Sequence, residues 1–316
     1  MMNEKRRDFL KKGSLAVAGI GLYSVIPQIS SFGKTTKDSF FKISLAEWSL
    51  HKTLRAGDLT NMDFPAKSKN DFGINAIEYV NQFFMDKAED TSYLSELKQR
   101  CEDIGVTSVL IMIDGEGQLG DLDKKERKRA VENHYKWIDA AKYLGCHSIR
   151  VNAAGRGTYE EVQDAAIDGL GLLSKYGEKE GINVIVENHG SYSSDGNWLS
   201  TVMKKVNNPY CGTLPDFGNF CIKATFENRE RKCLEEFDRY EGTKLLMPYA
   251  KGVSAKSYLF DENGHETTMD YFKLMRIVKD AGYTGHVGIE FEGSMPEDEG
   301  IMATKKLLEM VGEKLS

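Results

Sequence analysis

Eight short apolar runs, beginning near Ile43, Ala76, Val106, His147, Asn183, Cys211, Gly252 and His286, alternate along the chain with polar stretches of helical length. This alternation constrains the fold more than any single motif. Residues spaced three and four apart share one face of a helix, and 124–145 shows that period at Ala130, Trp137, Ala140, Ala141 and Leu144. The other helical stretches are 90–104, 159–180, 196–206, 231–247, 270–281 and 298–314, with 52–72 the least regular. Strands alternating with helices build a parallel sheet covered by helices. Eight such units, about 35 residues apart, account for residues 41–316 and predict a single α/β domain, a (β/α)8 TIM barrel with no linker. No G-x-G-x-x-G follows the first run, which argues against an open dinucleotide-binding sheet.

Of the 316 residues, 41% are hydrophobic, enough for one large core, and the net charge of -6 offers no basic footprint for nucleic acid. The N-terminus differs in kind. Lys5-Arg6-Arg7-Asp8-Phe9-Leu10-Lys11, followed by the weakly apolar GSLAVAGIGLYSVI, resembles a bacterial twin-arginine export signal. The apolar stretch is too short and too Gly-rich to span a bilayer comfortably, which disfavours a membrane anchor. Residues 1–33 are therefore expected to be removed on export, leaving no stable membrane span and a periplasmic protein of net charge about -9. Five cysteines (101, 146, 211, 221 and 233) form no C-x-x-C pair and read chiefly as small buried hydrophobes. In an oxidising compartment one disulfide is open to them, with no pair selected by the sequence.

Polar groups gather at the carboxyl ends of the later runs: VIVENHG (184–190), GTLPDFGN (212–219), GVSAKSY (252–258) and VGIEFEG (287–293). Strand side chains alternate, so Glu187 faces with His189, Glu290 with Glu292, Arg150 with Asn152, and Ser254 with Lys256 and Tyr258. Buried carboxylates need a partner cation. Glu187, Asp216 and Glu290 are thus candidates to hold a divalent metal, and an all-oxygen set favours Mn2+ or Mg2+. The competing reading pairs these acids with Arg150 or Lys256 in a metal-free network. His189 is a candidate ligand, hydrogen-bond donor or proton carrier, and Lys256 a candidate for stabilising an enolate. Glu47, Trp48, His51 and Glu78 add polar groups from the first two strands. Trp48, Glu47, Arg150, Asn152, Asn219, Glu292 and Tyr258 are expected to contact a sugar or glycoside. Tyr79, Phe83, Trp198 and Phe217 could share in lining its pocket, although core packing explains each alone. The stretch FDENGHET (260–267) reads as a small hairpin over the mouth or as an ordinary surface turn.

With these residues in place, the chain resembles the xylose-isomerase-like barrel superfamily (AP endonuclease family 2 type), which includes sugar epimerases of the tagatose 3-epimerase kind, inosose dehydratase and endonuclease IV. It looks most like the exported sugar phosphate isomerase/epimerase members common in Bacteroidetes, and the resemblance covers about residues 41–315. It implies that Glu187, Asp216 and Glu290 bind a divalent ion. It also implies that Glu187 and Glu290 form an acid/base pair moving a proton beside a carbonyl. Two positions depart from the family pattern. Asn219 and Ser254 stand where histidines are usual, so either His189 or water fills the gap, or the metal binds loosely, or Lys256 takes over its charge. The basic surface and His ligands of the endonuclease branch are missing, which argues against nuclease activity.

The resulting expectation is a sugar isomerase or epimerase acting on a ketose or keto-sugar. A lyase or hydratase on 3-keto-glycosides is the first alternative, because the same proton abstraction can expel a β-substituent. A non-catalytic sugar-binding barrel with a degraded metal site is the second.

Overall fold

The computed structural model describes residues 39–227 and 230–316. The export signal read at 1–33 lies outside them. Ten strands are found among these residues: β1 (Lys42–Ala46), β2 (Ala76–Val80), β3 (Thr107–Met112), β4 (Ser148–Val151), β5 (Asn183–Glu187), β6 (Cys211–Leu214), β7 (Cys221–Glu227), β8 (Glu230–Glu236), β9 (Val253–Ser257) and β10 (His286–Phe291). Eight pair in parallel in the order β6-β5-β4-β3-β2-β1-β10-β9. The ring closes between β6 and β9 through isolated bridges at Thr213–Ala250 and Asp216–Ser254. The backbone bonds there are Lys251 N to Thr213 O (3.0 Å), Ser254 N to Pro215 O (2.9 Å) and Phe217 N to Ser254 O (3.1 Å). The predicted barrel is therefore present, with its thinnest seam at two of the candidate site residues.

The covering helices are α1 (His51–Ala56), α2 (Phe64–Phe72), α3 (Thr91–Ile104), α4 (Lys124–Leu144), α5 (Tyr159–Glu180), α6 (Gly196–Val206), α7 (Arg239–Leu246), α8 (Tyr271–Asp280) and α9 (Glu297–Leu315). Local chemistry fixes their ends. Asp90, Asp123, Asp195, Asp238 and Asp270 accept first-turn N–H groups, and Thr158 and Glu161 form a reciprocal capping box. Gly145 closes α4 at φ 81°, a conformation that suits glycine.

Two sequence readings need correction. The irregular stretch 52–72 holds two short helices, α1 and α2. The helix expected over 231–247 begins only at Arg239, because the residues before it form β8, paired antiparallel with β7. The charged run ERKCLEE suits a helix locally, but Cys233 is joined to Cys221 in a disulfide across the hairpin. Cys101, Cys146 and Cys211 are buried free thiols, as expected of small hydrophobes.

Alternation along the strands divides the interior. Val184, Val186, Val253, Ala255, Val287 and Ile289 point outward into the main core under the helices. Leu110, Ile185 and Leu214 point inward, where they meet at Gly252 and fill the amino-terminal end of the lumen. Above this apolar plug the inward positions turn polar. Among the described residues no helix is long and apolar enough to cross a membrane.

Candidate active site

Glu187, Asp216 and Glu290 reach the lumen from the carboxyl ends of β5, β6 and β10. All three are buried, and each offers one carboxylate oxygen within 4.8 Å of the others. Each acid is held by its neighbours. Glu187 Oε1 accepts from Asn219 Nδ2 at 2.9 Å. Asp216 Oδ1 accepts from the backbone N–H groups of Gly218 and Asn219, both at 2.8 Å. Ser254 Oγ lies 2.6 Å from Asp216 Oδ2 and 2.8 Å from Glu290 Oε2. A hydroxyl has one proton to donate, so one of these two carboxyls must supply the second hydrogen. Burial, reinforced by Glu187 and Glu290, raises the affinity of Asp216 for a proton against the opposing pull of Lys256. Asp216 is therefore the natural carrier of that hydrogen.

Two cations balance the cluster. Lys256 Nζ lies 2.7 Å from Glu290 Oε1, 3.0 Å from Glu292 Oε2 and 3.9 Å from Asp216 Oδ2. Burial works against its charge, but the facing carboxylates outweigh burial and keep the ammonium protonated. Arg150 Nε sits 2.8 Å from Glu187 Oε2, out of line for a hydrogen bond, so both atoms lack a hydrogen-bond partner. Arg150 Nη1 and Asn152 Nδ2 donate to Asp114 Oδ1 at 3.0 and 2.7 Å, while Gln82 Nε2 donates to Oδ2 at 3.1 Å. Burial alone would raise the Asp114 carboxyl, yet Arg150 and these donors, with His189 nearby, hold it well below the usual range.

Over the acids opens a cavity of about 510 Å³ lined by His51, His189, Gly190, Asn219, Tyr258 and Glu292. Trp48 Nε1 donates to Glu292 Oε1, and the Trp48 ring stacks on His51 with centroids 4.9 Å apart. The structure thus gathers Glu187, Asp216, Glu290, Lys256, Arg150, Asn152, Asn219, His189, Tyr258, Glu292 and Trp48 around one end of the lumen. It places Glu47 elsewhere. That side chain is fully buried, accepting from Val80 N (2.8 Å) and Asn61 Nδ2 (2.9 Å), and burial pushes its carboxyl up to about 8. Glu78 accepts from Ser44 Oγ at 2.6 Å within the lumen, in space that a Cβ at Gly288 would fill. Tyr79, Trp198 and Phe217 are core residues. The 260–267 stretch does turn, with Asp261 N donating to His265 O at 2.9 Å, but none of its residues lines the cavity.

Sequence reasoning missed Asp114 and Asn188. Asp114 follows the apolar run VLIMI and is an acid at a strand's carboxyl end, so the rule that found Glu187 could have found it. Asn188 belongs by alternation to the outward row and carried no such signal.

The donor set can be tested against a divalent ion. Three carboxylates converge, each offering one oxygen, and Glu187 Oε2 accepts no hydrogen bond although the Arg150 guanidinium lies 2.8 Å away. Such an arrangement fits a hard cation bound through oxygen, with remaining positions left to water or substrate. No imidazole is among the three converging ligands, and Ser254 Oγ stands between Asp216 and Glu290.

A family model described as xylose isomerase-like TIM barrel matches residues 69–310. Similar solved structures include the apo form of 3-keto-D-glucoside 4-epimerase from E. coli, at 14% identity and TM-score 0.60, covering 85% of this chain and 99% of that one. A sugar phosphate isomerase/epimerase from Parabacteroides distasonis is similar at 17% identity and TM-score 0.63, covering 90% and 98%. A xylose isomerase-like TIM barrel protein from Mycobacterium smegmatis in complex with magnesium is similar at 16% identity and TM-score 0.62, covering 87% and 97%. At these identities the likeness shows the fold. The 3'-dehydrocarminate deglycosidase alpha subunit of a Microbacterium species is 42% identical over 55 residues, which are 17% of this chain and 16% of that protein.

Proposed function

The chain belongs to the xylose isomerase-like TIM-barrel family, and from that premise we propose that it is a sugar isomerase or epimerase. It moves a proton on the carbon beside the carbonyl of a ketose or keto-sugar. The observation that carries this reading is the convergence of Glu187 and Glu290, with Asp216, beneath a polar cavity. A sugar ring fits against Tyr258, with its hydroxyls within the reach of His189, Asn219 and Glu292. One glutamate takes the proton and the other returns it to the opposite face or the adjacent carbon. Lys256, buried and charged beside Glu290, stabilises the negative charge that develops on the substrate oxygen. Arg150 and Asn219 hold Glu187 in place during the transfer. Glu187, Asp216 and Glu290 would hold Mn2+ or Mg2+, which when bound supplies a further positive centre at the carbonyl oxygen.

The test is Glu187→Gln and Glu290→Gln, assayed on a panel of ketoses and 3-keto-glucosides. Each should lose about 10²- to 10⁴-fold in turnover while remaining folded. Near-wild-type turnover in both variants would discard the mechanism.

The 55-residue match to a deglycosidase subunit supports a second reading, a lyase acting on 3-keto-glycosides. Here the same abstraction leaves a carbanion beside the carbonyl, and the C–O bond to the β-substituent breaks. Analysing products of a 3-keto-glycoside separates the two: a free aglycone favours the lyase, an isomeric glycoside the epimerase. A panel with no turnover and no Mn2+ binding would favour a non-catalytic sugar-binding barrel. The twin-arginine segment supports action in the periplasm, where glycosides are commoner substrates than sugar phosphates.

A further inference from the structure

Asn188 is wholly buried in a row where apolar side chains belong. Val184 and Val186, four and two residues before it, face the main core, and alternation points Asn188 the same way. A buried amide in such a row calls for partners. All three of its partners lie in the segment after β6. Asn188 Oδ1 accepts from Asp216 N at 2.8 Å, while Nδ2 donates to Asp216 O at 2.9 Å and to Asn219 O at 3.1 Å.

The need for this amide comes from the backbone. The β5–β6 ladder ends at Glu187–Leu214, and the residue that follows β6, Pro215, has no N–H. Asn188 meets both backbone groups of Asp216, as a peptide unit would. Asp216 carries one acid of the cluster, and Asn219 donates to another, Glu187. Ser194 Oγ, from the same loop after β5, donates to Asn219 O at 2.6 Å and adds a second clamp.

We propose that Asn188 is the positioning residue of the acid cluster, its side-chain amide serving as the last rung between β5 and β6. It sets the separation of Asp216 and Asn219 from Glu187 without touching substrate. The inference rests on the reading of these three acids as the working groups.

The experiment compares the full chain with Asn188→Leu, which keeps the branched outline and removes all three bonds. The control is Trp137→Phe, which removes a buried Nε1–Glu116 bond elsewhere. Mn2+ affinity is measured by calorimetry, melting temperature by circular dichroism, and the position of Asp216 by crystallography. Asn188→Leu should weaken Mn2+ about 10- to 100-fold and displace the Asp216 carboxylate from Glu187 by more than about 0.5 Å. The control should melt earlier yet bind Mn2+ as the wild type does. An unmoved Asp216, or unchanged Mn2+ affinity in the Leu variant, overturns the proposal, as does an equal loss of affinity in the control. If the wild type binds no Mn2+, the ion-binding part of the proposed function fails, and the crystallographic comparison alone decides the role of Asn188. Should the Leu variant not fold, Asn188→Asp is read in the same way, since it keeps the size and turns both donated bonds into repulsions.

Discussion

Lys256 touches Glu290 and Glu292 and lies near Asp216, so its removal leaves buried carboxylates without their cation. Lys256→Met should cost about 3–5 kcal/mol in urea unfolding, the usual penalty for breaking a buried pair by deleting one side. Added Mn2+ should recover part of that loss by taking the ammonium's place beside the acids, and a variant as stable as the wild type would refute the pairing. Glu47 makes a different prediction. Burial raises its carboxyl from 4.5 to about 8, so between those values the folded chain holds a proton that the unfolded chain has released. Stability therefore falls as pH rises from about 4.5 to about 8. Thermal melts at pH 5, 6, 7 and 8 should show Glu47→Gln with a flatter profile than the wild type. A parallel profile would show that Glu47 stays ionised.

At the scale of elements, the β7–β8 hairpin is tied by Cys221–Cys233 and exposes Phe226 and Leu234. A disulfide closing so short a segment contributes at most about 3 kcal/mol, and mostly to the hairpin itself. Cys233→Ser should be cut within 221–236 by limited proteolysis before the barrel is attacked. Equal resistance in the two proteins would mean that packing, not the bridge, orders the hairpin. Elements set by local signals were legible in the sequence: the capped helices α3 to α6 and the eight apolar strands. The hairpin was not, because the charged residues of β8 carry no strand period and acquire their conformation only by pairing with β7. Asn188 was illegible for a related reason. Its partners are backbone groups on a neighbouring strand, and no side-chain pattern announces them. Asp114 was legible in principle, as an acid ending an apolar strand.

For the whole molecule, periodicity alone led to the barrel, because eight strand–helix units leave few other ways to bury both faces of a parallel sheet. The convergence of Glu187, Asp216 and Glu290 followed from where such barrels place their strand ends. The positions of Arg150 and Lys256 against those acids did not follow, since alternation gives a facing but no distance. Destination is also a property of the whole chain. Replacing Arg6 and Arg7 together by Lys should leave the full-length precursor in the cytoplasmic fraction, whereas the unaltered chain should reach the periplasm in shortened form. Unchanged export of the double variant would remove the twin-arginine reading.

The seam between β6 and β9 has a consequence for how this chain can change over generations. Its closing contacts run through Thr213, Pro215, Asp216, Phe217, Ala250, Lys251 and Ser254, and two of these, Asp216 and Ser254, also shape the acid cluster. Selection for a tighter scaffold and selection for a new substrate then act on the same short stretch. A mutation there is judged twice, which leaves diversification to the loops that line the mouth, around His51, His189 and Tyr258.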